Sequence, residues 1–191
     1  MKDILIVVGS GIKGGNTDLL AEAFAKGATE AGHTIHKVFL GDKTVNGCRG
    51  CNACKFGKPC VQKDDMAAIY PLYEQCDMVV LASPLYYWMI TAQTKAFLER
   101  LYATSTEDNN PPKGRYEKYA DKECALLMTA ADDNFWTFGL ATSYYQYNCV
   151  NYLGWTDCGM VLAGGCGGSP GKRNIEETGH LETAYQFGKT I

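Results

Sequence analysis

The chain lacks the features that would send it to a membrane or a nucleic acid. The apolar run after its Met-Lys-Asp start, Ile4 to Gly9, is six residues long, whereas a membrane span needs about 20 and a signal peptide needs a longer core. The expected location is therefore the cytoplasm, with no membrane partner. A net charge of -3 without a basic stripe leaves no electrostatic footprint for nucleic acid. Histidine is scarce, and His33, His36 and His180 share no recognisable spacing. None is nominated as a ligand or base, and surface or strand-edge polarity is the expected role of each. No internal repeat, low-complexity segment or linker divides the 191 residues, so residues 1–191 are expected to form a single domain. The hydrophobic content of 46% is ordinary for a globular protein. Cysteine is the exception to this scarcity. Nine residues, an odd number and without a secretory route, read as reduced thiols or metal ligands rather than as a disulfide framework.

Apolar patterning predicts an α/β fold. Ile4 to Val8 is a continuous apolar strand ending at Gly9, buried on both faces. A helix follows behind Asn16-Thr17-Asp18, with Leu20, Phe24 and Ala28 at helical spacing until Gly32. His36–Leu40, Met78–Ala82, Ala125–Thr129 and Met160–Ala163 are the other expected strands. Between them fall a helix introduced by Asp64-Asp65 that carries Met66, Ile69 and Tyr73, and one carrying Phe97, Leu98 and Leu101. A polar excursion containing Asn109-Asn110-Pro111-Pro112 comes next, then an aromatic-rich helix over roughly Phe135 to Tyr152 and a closing helix over Leu181 to Gly188. Five strands separated by helices imply right-handed crossovers and a parallel sheet covered on both faces. Ligands of such sheets sit at the carboxyl ends of the strands.

Three segments carry the chemistry. The turn Gly9-Ser10-Gly11-Ile12-Lys13-Gly14-Gly15-Asn16-Thr17 contains G-x-G-x-x-G, but its helix begins after the third glycine, and the first acid beyond the second strand, Asp42, lies too far along to hold a dinucleotide's ribose. Asn16 stands where a Walker loop needs lysine. What remains is a donor-rich turn at a helix N-terminus, suited to the terminal phosphate of a mononucleotide; a ligand-free tight turn is the alternative. After the third strand, Ser83-Pro84-Leu85-Tyr86-Tyr87-Trp88-Met89 supplies large flat side chains. These suit the wall of a tricyclic ring, although alone an aromatic cluster is more often core or subunit interface. Ala130, following the fourth strand, is expected to complete that pocket. Finally, Cys48, Cys51, Cys54 and Cys60 fall at C-x2-C-x2-C-x5-C. Two-residue gaps let successive thiolates reach separate corners of an inorganic cube. The five-residue last gap, with Pro59 before Cys60, departs from the bacterial ferredoxin run. A 4Fe-4S cluster, an ordered metal-free thiol loop and a zinc site all remain open. Cys76, Cys124, Cys149, Cys158 and Cys166 are scattered and expected to be small buried hydrophobes. Gly164 to Gly171 reads as a connector or lid after the fifth strand.

Together, Gly9-Ser10 with Gly15-Asn16-Thr17, Ser83-Pro84-Leu85-Tyr86-Tyr87 and Lys95-Ala96-Phe97-Leu98-Glu99-Arg100 resemble the NADPH-dependent FMN reductase family of flavodoxin-like proteins. The resemblance implies a three-layer sandwich with strand order 2-1-3-4-5. It implies FMN bound by Ser10, Gly15, Asn16, Thr17, Pro84, Leu85, Tyr86 and Tyr87, with the chemistry at the flavin and no catalytic side chain; Lys13 in the same turn and Ala130 after the fourth strand are further expected contacts. The cysteines followed by Asp64-Asp65-Met66 look most like the iron-sulfur flavoprotein branch. There Cys48, Cys51, Cys54 and Cys60 would hold a 4Fe-4S cluster near the FMN of another subunit, supplied by reduced ferredoxin. Without a cluster, NAD(P)H is the implied donor. The rival class is a non-enzymatic flavodoxin-like electron carrier between redox proteins. The aromatics at Phe135, Trp136, Phe138, Tyr144, Tyr145, Tyr147 and Tyr152 exceed what one core-facing stripe readily buries, so a homodimer or homotetramer is expected, with a broad intramolecular core as the alternative.

Overall fold

A computed structural model describes residues 1–56, 58–104, 121–167 and 174–191. The Asn109-Asn110-Pro111-Pro112 excursion, Gly57 and residues 168–171 of the glycine-rich stretch lie outside them. In chain order the described elements are β1 (Asp3–Val8), α1 (Asn16–Glu30), β2 (Thr34–Phe39), α2 (Met66–Gln75), β3 (Met78–Pro84), α3 (Ala92–Arg100), β4 (Glu123–Thr129), α4 (Gly139–Tyr145), β5 (Thr156–Ala163) and α5 (His180–Thr190). The strands form one parallel sheet in the order β2-β1-β3-β4-β5. That is the flavodoxin-like arrangement expected from the sequence. Reversal of strand order beside β1 makes the crevice between β1 and β3 the switch point where such sheets take ligands.

Strand alternation divides the core in two. Ile4, Ile6 and Val8 pack with Leu20 and Phe24 of α1 and Ala184 of α5. Leu5 and Val7 pack on the opposite face with Met66, Ile69 and Tyr73 of α2, Phe97 of α3 and Tyr145 of α4. Each large apolar side chain buried this way contributes about 1.5–3 kcal/mol. With helices on both faces, only the ends of the sheet are left for a ligand.

The largest departure from the expected elements concerns the aromatic helix. Its α-helical part begins at Gly139 rather than Phe135, and Gln146–Tyr152 continues as a π-helix. A turn comes first, in which Thr137 N–H donates to Asn134 O and Asn134 N–H to Thr137 Oγ1, both at 2.9 Å. This local bonding competes with helix initiation. At the far end Leu153 N–H reaches back five residues to Asn148 O (3.0 Å), the wide-turn pattern that pure 3.6 periodicity does not reveal. Strands β2 and β5 start earlier than their apolar runs suggest, because their first halves are only partly buried.

Candidate functional site

The phosphate turn grows directly from the sheet. Gly9 N–H donates to Ala82 O in β3 (2.8 Å), which carries the sheet's bonding one residue past β1. Glycine is required there, since a Cβ would lie 1.8 Å from Thr94 Oγ1 and 2.7 Å from Thr91 Oγ1. The Thr91 hydroxyl donates to Gly9 O (2.8 Å) and, as the N-cap of α3, accepts from Thr94 N–H (3.2 Å). One hydroxyl therefore joins the turn to the start of α3. Within the turn, buried Ser10 takes Ile12 N–H on Oγ (3.1 Å), and Gly14 N–H donates to Asp18 Oδ2 (2.7 Å). Gly15 caps α1 without a side-chain hydrogen bond. The N–H groups of the first helical turn lack intrahelical acceptors, and the positive end of the helix dipole favours an anion there. Asn16 Oδ1 accepts from Ile175 N–H (3.2 Å), Thr17 Oγ1 shares a hydrogen bond with Thr129 Oγ1 (2.7 Å), and Lys13 is exposed at the rim. The expected phosphate residues thus share one turn, while the side chains of Ser10, Asn16 and Thr17 also fasten it to the fold.

The aromatic wall is held in an unusual backbone. Leu85 N–H donates to Thr129 O (2.8 Å), and Tyr86 and Met89 exchange backbone hydrogen bonds of 2.9 and 3.0 Å. The two residues between them, Tyr87 and Trp88, have φ of 49° and 60°. A two-residue turn with both centres left-handed normally uses Asn-Gly; bulky residues there cost of order 1–3 kcal/mol each. The turn presents Tyr87 at 93% exposure and sets Trp88 beside Trp136, with ring centroids 6.1 Å apart. Leu85, Tyr86, Tyr87 and Trp88 line one side of a cavity of ≈ 330 Å³, with Ala130 and Asp132 on another. This volume is at the lower end of small-molecule sites. Pro84 ends β3 without lining the cavity. The Thr17–Thr129 bond links phosphate turn and cavity, because Ala130 directly follows Thr129. Thr91, Thr129 and Asp132 are not nominated from sequence as site residues, although Thr129 closes an expected strand and Asp132 lies three positions beyond it.

The cysteine loop is mounted on the end of α3. Cys48, Cys51, Cys54 and Cys60 all border one cavity of ≈ 310 Å³, shared with Glu99 and Arg100. Positive φ at Gly50 (65°) and Asn52 (58°) turns the chain around it, and Gly50 N–H donates to Cys48 Sγ (3.4 Å). Among the described residues, no three His, Cys, Asp or Glu side chains converge as a preformed site for one metal ion. Glu99 Oε2 accepts Cys48 N–H (3.0 Å), and Oε1 pairs with Lys95 (2.6 Å), which draws the Glu99 carboxyl below its ordinary range against the opposing effect of burial. Arg100 grips both oxygens of Asp64 and donates from Nη1 to Asn46 O (3.0 Å), while Asn46 N–H donates to Asp64 Oδ2 (3.2 Å). Both side chains are almost wholly buried, at 1% and 3% exposure. Burial pushes the Asp64 pKa upward, but Arg100 and the N–H donors outweigh it, so the pKa lies below the usual value. Thr44 N–H and Asp65 Oδ2 (2.6 Å) add a second tie between the legs of the loop. Asp64 and Asp65, expected simply to introduce α2, hold the loop shut at its base. Elsewhere burial pushes the thiols of Cys76 and Cys124 up to about 11 and about 12, as inert core cysteines require; Cys158 is only partly buried.

These arrangements agree with a sequence comparison. Residues 2–135 match the sequence profile of the NADPH-dependent FMN reductase family. The chain belongs to that family. An iron-sulfur flavoprotein of Archaeoglobus fulgidus is 40% identical over 95 residues, covering 50% of this chain and 43% of that protein. Another, from Methanosarcina thermophila, is 34% identical over 94 residues, 49% of each. These matches span about half the length of either relative. Among solved structures, an NAD(P)H:quinone oxidoreductase from Methanothermobacter marburgensis superposes with a TM-score of 0.76 at 16% identity, over 99% of this chain and 95% of that one. At that identity the likeness speaks for the fold alone. No helix among the described residues is long and apolar enough to cross a membrane.

Proposed function

We propose that this family member is an FMN-dependent oxidoreductase of the cytoplasm, taking electrons from NAD(P)H or reduced ferredoxin and delivering them to a small acceptor. The observation that carries this reading is the ≈ 330 Å³ aromatic-walled cavity joined by Thr17 and Thr129 to an α1 N-terminus that no side chain caps. When bound, FMN supplies the electron transfer. The residues supply binding and orientation. Ser10, Gly15, Asn16 and Thr17 hold the phosphate through hydroxyl, amide and first-turn N–H groups, with Lys13 adding charge at the rim. Leu85, Tyr86, Tyr87 and Ala130, which line the cavity, would border the ring, and Pro84 would fix the strand end behind them.

The four-cysteine cavity fits a second redox group. Thiols spread around a shared space suit a polynuclear cluster better than a single zinc, which draws all its sulfurs to about 2.3 Å. Relatives named as iron-sulfur flavoproteins support a 4Fe-4S cluster on Cys48, Cys51, Cys54 and Cys60, and such a group supplies one-electron transfer. The exposed Tyr87, Phe135, Trp136 and Leu140 favour a homodimer or homotetramer that covers the flavin edge. A monomer persisting across a wide concentration range in sedimentation, with flavin bound, would contradict that assembly. The functional test is anaerobic purification, acid release and chromatography of the flavin, followed by steady-state oxidation of NADH, NADPH or reduced ferredoxin with a soluble acceptor. FMN release with turnover of one donor supports the proposal; folded protein that cannot be reconstituted with FMN overturns it.

A further inference from the structure

We infer that Arg100 is the fixed positive charge of the four-cysteine site, oriented by Asp64 behind it so that the pair raises the reduction potential of the iron-sulfur group held there. The inference rests on the cluster reading of the loop given above. Arg100 is 2% exposed and borders the cavity together with the four cysteines, whereas Asp64 does not line it. The ion pair is neutral as a whole, but its positive member borders the cavity and its negative member does not. Coulomb energies fall with distance and grow in a low-dielectric interior, so the nearer, buried charge dominates.

Two further observations single out Arg100. Its Nε is buried and has no hydrogen-bond partner among the described residues, which leaves a charged donor of the kind that sulfur accepts. Of the other charged side chains bordering the cavity, Glu99 is paired with Lys95 at 2.6 Å, and Arg49 is exposed, where salt screens it. One electron entering a four-thiolate iron-sulfur group adds one negative charge to the cavity. A buried cation stabilises that reduced form, and net charge and hydrogen bonding to sulfur are recognised levers on such potentials. Arg100 is thus a positioning and tuning residue, not a ligand.

The test uses the full chain loaded with FMN and reconstituted anaerobically with ferrous iron and sulfide, then titrated potentiometrically with dithionite and mediators while the cluster signal is followed by electron paramagnetic resonance. Asp64→Asn removes the rear negative charge and is expected to raise the midpoint potential. The double variant Asp64→Asn/Arg100→Gln keeps an amide pair of similar shape, leaves no buried charge unpaired, and is expected to lower the potential below wild type. Iron and sulfide are counted per chain in all three proteins, and the potentials are compared on the loaded fraction. A purely structural role predicts instead a shared loss of iron with no change in the potential of what remains; that result, or shifts of the same sign, would overturn the inference. Should the double variant fail to fold, the sign for Asp64→Asn decides alone, and a fall or no change overturns the inference. Wild-type protein that binds FMN but never incorporates iron and sulfide would refute the cluster reading itself and this inference with it.

Discussion

The turn at residues 9–17 and the loop at residues 47–60 hold their ligand-bearing groups in opposite ways. The turn continues the sheet. Gly9 is bonded to β3, Thr17 to the end of β4, and the α1 N-terminus follows at once, so its donors are fixed by the most buried strands. The loop is an excursion from the sheet, and its ties among the described residues include Thr44 with Asp65 and Asn46 with Asp64 at its base and Cys48 with Glu99 at one helix end. A phosphate needs preset N–H directions, whereas thiols wrapping an inorganic group need a chain free to close around it. Helix α3 serves both. Thr91 at its start anchors Gly9, and Glu99 and Arg100 at its end anchor the loop, about 12 Å away for nine helical residues.

Breaking the loop's anchor should have the largest effect. Arg100→Met leaves the Asp64 carboxylate buried without its partner, and removing one member of such a pair costs roughly 3–5 kcal/mol; chemical denaturation should show that loss. FMN binding to the remaining folded protein should be retained, because the phosphate turn does not lean on Arg100. Breaking the turn reverses the pattern. Gly9→Ala forces a Cβ onto Thr94 Oγ1, and overpacking of this kind costs about 1–3 kcal/mol. The same change should weaken FMN binding about tenfold or more in a fluorescence titration, about 1.4 kcal/mol, with the loop's iron content unchanged.

How much of this was legible in the sequence depended on distance along the chain. The five strands, the phosphate turn, the aromatic wall and the cysteine spacing are local patterns, and all could be read from neighbouring residues. Arg100 with Asp64 and Glu99 with Cys48 are 36 and 51 positions apart, and only the crossover from α2 through β3 to α3 brings them together. Arg100 and Glu99 stood in a motif that marked only the family resemblance, yet both border the cavity of the four cysteines. The left-handed Tyr87-Trp88 turn was invisible for a different reason: both residues argue locally against the conformation the fold imposes on them.

That strained turn sharpens the comparison with a smaller effect. Replacing Tyr87-Trp88 by Asn-Gly should relieve strain at both positions but forfeit the Trp88–Trp136 contact, for a net gain in stability of roughly 1–3 kcal/mol, seen as a higher midpoint of thermal unfolding, while FMN affinity falls. The smallest effect is expected from pH. The folded pKa of Asp64 lies below its ordinary 3.8, so its stabilisation is fully present above that value and is lost as pH falls through the folded pKa. An acid titration of tertiary structure should show this limb in the wild type and a weaker one in Asp64→Asn.

The central claim is that two independently built sites hold two different redox groups, and elemental and flavin assays on one pair of proteins test it most directly. Wild type and a Cys51→Ala/Cys54→Ala variant are reconstituted anaerobically with FMN, ferrous iron and sulfide, and each component is counted per chain. The account predicts bound FMN in both, with stoichiometric iron and sulfide in wild type and none in the variant. Wild-type protein that takes FMN but no iron or sulfide, or a folded variant that loses FMN along with the metal, would contradict it.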